Sequence, residues 1–99
     1  MNTQAEILSF LQTHKTLLKE RFHISKIALF GSFARNEANQ ESDVDILIEL
    51  QDGVENIYDL KYELKKYLAE NFKRDVDIAR EKYLKPYAKN TILKDALYV

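Results

Sequence analysis

Apolar positions fall into two different periods along this chain. Ile7, Leu8, Leu11, Leu18 and Phe22 recur at roughly helical intervals, with Gln12, Lys15 and Lys19 on the opposite face. Thr3 and Glu6 stand at the head of this run with the spacing of a capping box, in which each side chain satisfies a backbone N–H near the other. The pattern predicts a helix from about Gln4 to Arg21. Ile24–Phe30 is apolar toward its end and stops at Gly31, which predicts a strand whose last residues are buried on both faces. A short helix over Ser32–Ala38 can start at the glycine corner, and polar Asn39–Ser42 reads as a loop. In Asp43–Leu50 the period becomes two. There Val44, Ile46 and Ile48 alternate with Asp43, Asp45 and Leu47, and the run is rich in β-branched residues.

After a turn at Gln51-Asp52-Gly53 the helical period returns. Ile57, Leu60, Leu64, Leu68 and Phe72 form one stripe of a helix over about Asn56–Asn71, with Lys61, Lys65, Lys66 and Glu70 outside. Arg74–Arg80 reads as a third strand, with Val76 and Ile78 facing one way and Asp75 and Asp77 the other. Pro86 suits the first turn of a last helix, in which Leu84, Tyr87, Ala88, Thr91, Ile92 and Leu97 cover one side of the sheet. The expected order is α-β-α-β-α-β-α in a single domain spanning residues 1–99. The fold class is α/β (α+β): a small mixed sheet of about three strands covered by helices.

Charge narrows the range of functions. Fifteen basic and sixteen acidic residues give a net charge of −1, without the basic excess that extended nucleic-acid binding requires. The absence of cysteine excludes disulfides, zinc–thiolate sites and cysteine nucleophiles, and fits a cytoplasmic location. No apolar run approaches the ~20 residues of a membrane span, and Met1–Phe10 lacks the form of a signal peptide. The six tyrosines sit at helical positions and read mostly as core or rim residues. His14 and His23 read as structural or exposed, and the basic positions from Lys61 to Arg74 as a solvated helix face.

Candidate chemistry lies in Gly31-Ser-Phe-Ala-Arg35 and Ser42-Asp-Val-Asp-Ile46. Strand alternation puts Asp43 and Asp45 on one face with Cα atoms about 6.5–7 Å apart. Like charges so placed suit divalent cations: Mg²⁺ takes one or two carboxylates together with substrate phosphates. Two such ions about 3.5–4 Å apart can clamp the attacking and leaving oxygens of a phosphoryl displacement. A strand that ends in glycine and runs into a helix start offers backbone N–H groups to a phosphate, and Ser32 adds a hydroxyl. Arg35, on the same helix face as Ser32, is placed to reach a triphosphate or to tie down the loop. Asp77 supplies a third carboxylate, as a metal ligand or proton acceptor, with Asp75 as the alternative. Alone, each of these is an ordinary turn, surface cation or solvated carboxylate. Together, in this order on these elements, they have the logic of phosphoryl or nucleotidyl transfer.

These stretches resemble the signature of the minimal nucleotidyltransferases (MNT proteins) of the DNA polymerase β superfamily. Val76-Asp77-Ile78 is similar to that family's third-carboxylate strand, and Leu84-Lys-Pro-Tyr87 through Ala96-Leu-Tyr-Val99 to the end of MNT antitoxin sequences. Asn36 stands where the family often has glycine, and asparagine tolerates the left-handed backbone such a turn needs. The resemblance implies a polymerase β-like nucleotidyltransferase fold. It also implies a site in which Gly31, Ser32, Arg35 and Ser42 bind nucleotide, while Asp43, Asp45 and Asp77 hold Mg²⁺ and carry catalysis. The implied activity is transfer of AMP from ATP to a hydroxyl, a tyrosine's above all, of a HEPN-type ribonuclease toxin, which makes the chain its antitoxin. Two other functions compete with it. One is a nucleotide-binding antitoxin that neutralises its partner by complex formation alone; the other is a transferase acting on a small molecule such as an aminoglycoside.

Overall fold

The computed structural model describes all residues, Met1–Val99. The capping box forms as expected: the Glu6 N–H donates to Thr3 Oγ1 (3.1 Å) and the Thr3 N–H to Glu6 Oε1 (3.2 Å). The helix it starts, α1, runs over Gln4–Thr13, and a second, α2, over Lys15–Phe22. The expected single helix is therefore broken at His14, whose backbone leaves the helical region at φ −99°, ψ 11°. Its ring stacks on Phe10 at 4.0 Å and places Nδ1 2.9 Å from the Phe10 carbonyl oxygen. The Phe10 carbonyl thus meets both the ring and the His14 backbone N–H, which donates to it at 3.0 Å, and side-chain bonding to a carbonyl one turn back bends helices. The bend lets Ile7, Phe10 and Leu11 on one half and Leu18 and Phe22 on the other reach the same core.

Strand β1 (Ile24–Phe30) leads into a four-residue helix, α3 (Gly31–Ala34), shorter than the expected Ser32–Ala38. Strand β2 (Val44–Leu50) follows, then helix α4 (Ile57–Phe72) and strand β3 (Val76–Arg80). A 3₁₀ turn over Glu81–Tyr83 precedes α5 (Pro86–Asp95), which has Pro86 in its first turn. The chain then forms a fourth strand, β4 (Leu97–Tyr98), where helix was expected to continue. The sheet thus has four strands rather than three, in the order β3-β2-β1-β4. β1 is antiparallel to both β2 and β4, and β2 is parallel to β3. A parallel pair needs a crossover, and α4 supplies it.

The two faces of the sheet differ. Ile27, Leu29, Val44, Ile46, Ile48 and Val76 join α1, α2 and α4 in the core, where Leu64, Leu68 and Phe72 are α4's share. The opposite face carries Asp45, Leu47 and Asp77, and only its middle is buried, at Ala28 and Leu47. No side chain of α5 is fully buried, and Tyr87 is 82% exposed rather than part of the sheet cover. The tyrosines as a group depart from expectation: Tyr58, Tyr62, Tyr83, Tyr87 and Tyr98 are all exposed. No helix is long and apolar enough to cross a membrane.

Candidate active site

The strand registers assemble the site. In the antiparallel pair Phe30 lies opposite Asp45, and in the parallel pair Asp45 lies beside Asp77. Gly31 directly follows Phe30 at the end of β1 and packs against Asp45, so Gly31, Asp45 and Asp77 follow one another from the glycine corner to the edge strand. Gly31 has φ +73°, a conformation in which a side chain is strained. A Cβ there would also collide with the Asp45 carboxylate, coming within 2.9 Å of its Cγ. The glycine is thus required twice, by its backbone and by the carboxylate packed against it.

Asp43 sits exposed just before β2, and Asp45 is half-buried within it. Burial first, and then the negative charges of Asp77 and Asp43, together push the Asp45 carboxyl up to about 6. Arg35 opposes this rise. Asp75 lies outside β3, and its carbonyl accepts from the Val44 N–H at 2.9 Å. Asp77, not Asp75, is therefore the strand residue in register with Asp45.

Around this row the loop is closed by its own side chains. Arg35 Nε donates to Glu37 Oε1 at 3.0 Å, and its guanidinium lies 3.7 Å from Asp95 at the end of α5. Arg35 thus joins its own loop to α5, with Asp45 within its field. Asn36 adopts the left-handed backbone expected of it, with φ 62°. Ser32 lies half-buried in the first turn of α3. The Ser42 hydroxyl accepts from the Asn39 N–H at 2.9 Å and so closes the loop that leads to Asp43.

Arg74 is the residue the sequence reading missed. Its guanidinium donates to the carbonyls of Asn39 (3.0 Å), Gln40 (3.0 Å), Ser42 (2.9 Å) and Met1 (2.8 Å), and to Asn2 Oδ1 (3.1 Å). It also lies over the ring of Phe33, 5.0 Å from its centre. One side chain thus ties the loop before Asp43 to the N-terminus and to the helix that follows Gly31. Its position among surface lysines hid this role.

No three acidic or histidine side chains converge into a ready-made metal cage. Asp43 and Asp77 do raise the proton affinity of Asp45, and the three offer only hard oxygen donors. That donor set fits a hard divalent cation, which would relieve the repulsion. The largest cavity, about 660 Å³, lies elsewhere, between α2 and the β1–β4 edge, and is lined by Lys15, Lys19, Lys26 and Tyr98 without any carboxylate side chain. That cavity holds none of Asp43, Asp45 and Asp77, so the carboxylates remain the candidate site. A smaller cleft of about 270 Å³ includes Asp77.

Comparison with known proteins identifies the family and the fold. A family model described as "Nucleotidyltransferase domain" matches residues 11–99. The chain is 39% identical over 100 residues to the protein adenylyltransferase MntA of Thermococcus cleftensis, covering 100% of this chain and 98% of that protein. It is 40% identical to a candidate protein adenylyltransferase of Methanocaldococcus jannaschii, over the full length of both. Among solved structures, a protein described as a minimal nucleotidyltransferase superposes with TM-score 0.79 at 26% identity, covering 96% of this chain and 94% of that one. Two more distant structures share the fold. A toxin–antitoxin with AMP-PNP gives TM-score 0.68 at 23% identity, covering 87% of this chain and 69% of that one. The MNT antitoxin complex with tri-AMPylated HEPN toxin from Shewanella oneidensis gives 0.62 at 21%, covering 91% and 69%. With its sheet, its glycine corner and its row of carboxylates, the chain belongs to the nucleotidyltransferase domain family, as a minimal nucleotidyltransferase.

Proposed function

We propose that the chain transfers AMP from ATP to a tyrosine hydroxyl of a HEPN-type toxin and thereby acts as its antitoxin. The observation that carries this reading is the register that sets Asp45 beside Asp77, with the Gly31 corner packed directly against the Asp45 carboxylate. The names of the relatives support a protein acceptor, and the AMP-PNP and AMPylated-toxin structures support an adenine nucleotide donor.

In this reading the triphosphate lies along the turn at Gly31 and Ser32, whose first-turn N–H groups have no partner within the helix. Asp43, Asp45 and Asp77 would hold one or two Mg²⁺ ions, which supply charge neutralisation for the phosphates and the attacking oxygen. The acceptor oxygen forms a bond to the α-phosphorus while the bond from that phosphorus to the β-phosphate bridging oxygen breaks. Pyrophosphate departs toward Gly31 and Ser32. The hydroxyl proton passes to a carboxylate, and Asp77 is the one on the side away from the leaving group. Arg35 and Ser42 act through the loop that they close, holding the nucleotide side of the site in shape.

The test is intact mass spectrometry of a HEPN-type toxin after incubation with the chain, ATP and Mg²⁺. The expected result is a gain of one or more adenylyl groups on tyrosine, absent with Asp43→Asn. An unmodified partner that is nonetheless bound and inhibited would replace transfer with neutralisation by complex formation.

A further inference from the structure

The row of site residues has a direction, and the direction selects one surface for the acceptor. An in-line displacement requires the nucleophile opposite the leaving group. If pyrophosphate leaves toward Gly31, the acceptor enters from beyond Asp77. β3 is the edge strand on that side, so nothing in the sheet lies further out.

What borders Asp77 there is the outer flank of α4. Tyr58, Lys61, Tyr62 and Lys65 line one cleft of about 270 Å³ with Asp77 and Ile78. Their spacing of three, one and three residues puts them on a single helical stripe. Tyr58 is 85% exposed and Tyr62 60%, so two aromatic rings stand in water beside a catalytic carboxylate. Tyrosine packs large apolar area at small entropic loss and is enriched where proteins bind one another. Charge is segregated around the helix as well. Lys61 and Lys65 face the Asp77 cleft, whereas Asp59 and Glu63 line a separate one with Arg21 and His23.

We propose that this stripe of α4 is the acceptor-docking surface. It would take the acceptor-bearing segment of the partner protein, with the accepted tyrosine reaching Asp77 between Tyr58 and Tyr62. The lysines select a segment with acidic side chains near that tyrosine, since they lie where an approaching carboxylate meets unpaired positive charge. The proposal rests on the AMP-transfer reading for its direction, yet it predicts binding as well as chemistry.

Two variants test it, Tyr58→Ala/Tyr62→Ala and Lys61→Glu/Lys65→Glu, with Lys15→Glu/Lys19→Glu at the far edge as control. All these side chains are exposed or partly so, and circular dichroism checks the fold. AMP transfer to the partner, partner affinity and AMP-PNP affinity are measured for each. We expect KM for the partner to rise about tenfold or more with partner affinity falling in step, AMP-PNP affinity unchanged, and the control like wild type. Wild-type KM and partner affinity in both variants would overturn the proposal. So would a loss of AMP-PNP affinity that accounts for the whole effect, which would make the tyrosines an adenine platform. If wild type transfers no AMP, the transfer reading fails, and partner affinity alone decides the surface: weakened binding in the variants supports it and unchanged binding sinks it.

Discussion

At the scale of single residues, Gly31 is held by two independent constraints, and a methyl group tests both. Gly31→Ala would place a side chain at φ +73° and against the Asp45 carboxylate. Backbone strain of this kind costs about 1–3 kcal/mol. The functional loss should be larger than the stability loss, since displacing a reactive group by about 1 Å can reduce a rate on the order of 100-fold. We expect a modest drop in melting temperature together with near-complete loss of AMP transfer, and wild-type activity in Gly31→Ala would remove the glycine from the site. Gly31, Asp43, Asp45 and Asp77 were legible in the sequence for a simple reason. Strand alternation and a strand-ending glycine are local features, readable from neighbours alone. The tyrosines were not: helical spacing says which residues share a face, and it does not say whether another element covers that face. Tyr67 is partly buried against the core, while Tyr58 and Tyr62 on the same helix are exposed.

At the scale of elements, the loop between α3 and β2 owes its shape to a residue far from it in sequence. Arg74 donates to three carbonyls between Asn39 and Ser42 from just before β3. Hydrogen bonds from a charged donor contribute roughly 1.5–3 kcal/mol when intact, less where water can replace them. Arg74→Ala should lower stability by about 2 kcal/mol and raise the KM for ATP, because the loop carries Asp43. Arg74→Lys should recover little of either, since an ammonium cannot reproduce the planar fork or the packing over Phe33. Denaturation curves and ATP kinetics on the two variants check this; equal rescue of both properties by lysine would reduce Arg74 to a point charge. The strands and α4 were predicted to within two residues because each carries its own period. The break at His14 was not, because a ring folding back onto the Phe10 carbonyl leaves the apolar period intact. β4 was missed for a related reason. Two residues have no period, and that strand exists only because the Val99 N–H reaches the Ile27 carbonyl and Leu97 and Tyr98 pair with β1.

At the scale of the whole molecule, the two faces of the sheet oppose each other energetically. A core of 17 buried residues on one face stabilises the fold, while the other gathers negative charge. Asp45 makes the conflict measurable. Its carboxyl titrates at about 6 in the folded chain against an ordinary 3.8, so the folded state holds a proton more tightly than the unfolded one. A carboxyl raised in this way favours folding while protonated. Its contribution is fully present below about pH 4 and is lost as pH rises through about 6. Without Mg²⁺, the chain should therefore be destabilised at pH 7–8 relative to a variant that cannot ionise there. Asp45→Asn should be more stable at neutral pH by about 1–2 kcal/mol, after the roughly 1.4 kcal/mol per pKa unit is discounted for solvent screening. For a domain of this size that is a rise of about 4–8 °C in melting temperature per kcal/mol. The difference should shrink as pH falls and vanish only below about pH 3, where Asp45 is protonated in both states. Added Mg²⁺ should stabilise the wild type more than the variant, because a cation bound by the carboxylates removes the repulsion that the substitution also removes. Melting curves of both proteins from pH 4 to 8, with and without Mg²⁺, separate the possibilities. A variant less stable than wild type at every pH would mean that Asp45 stabilises the fold rather than straining it, and the destabilised site would then have to be sought elsewhere on that face.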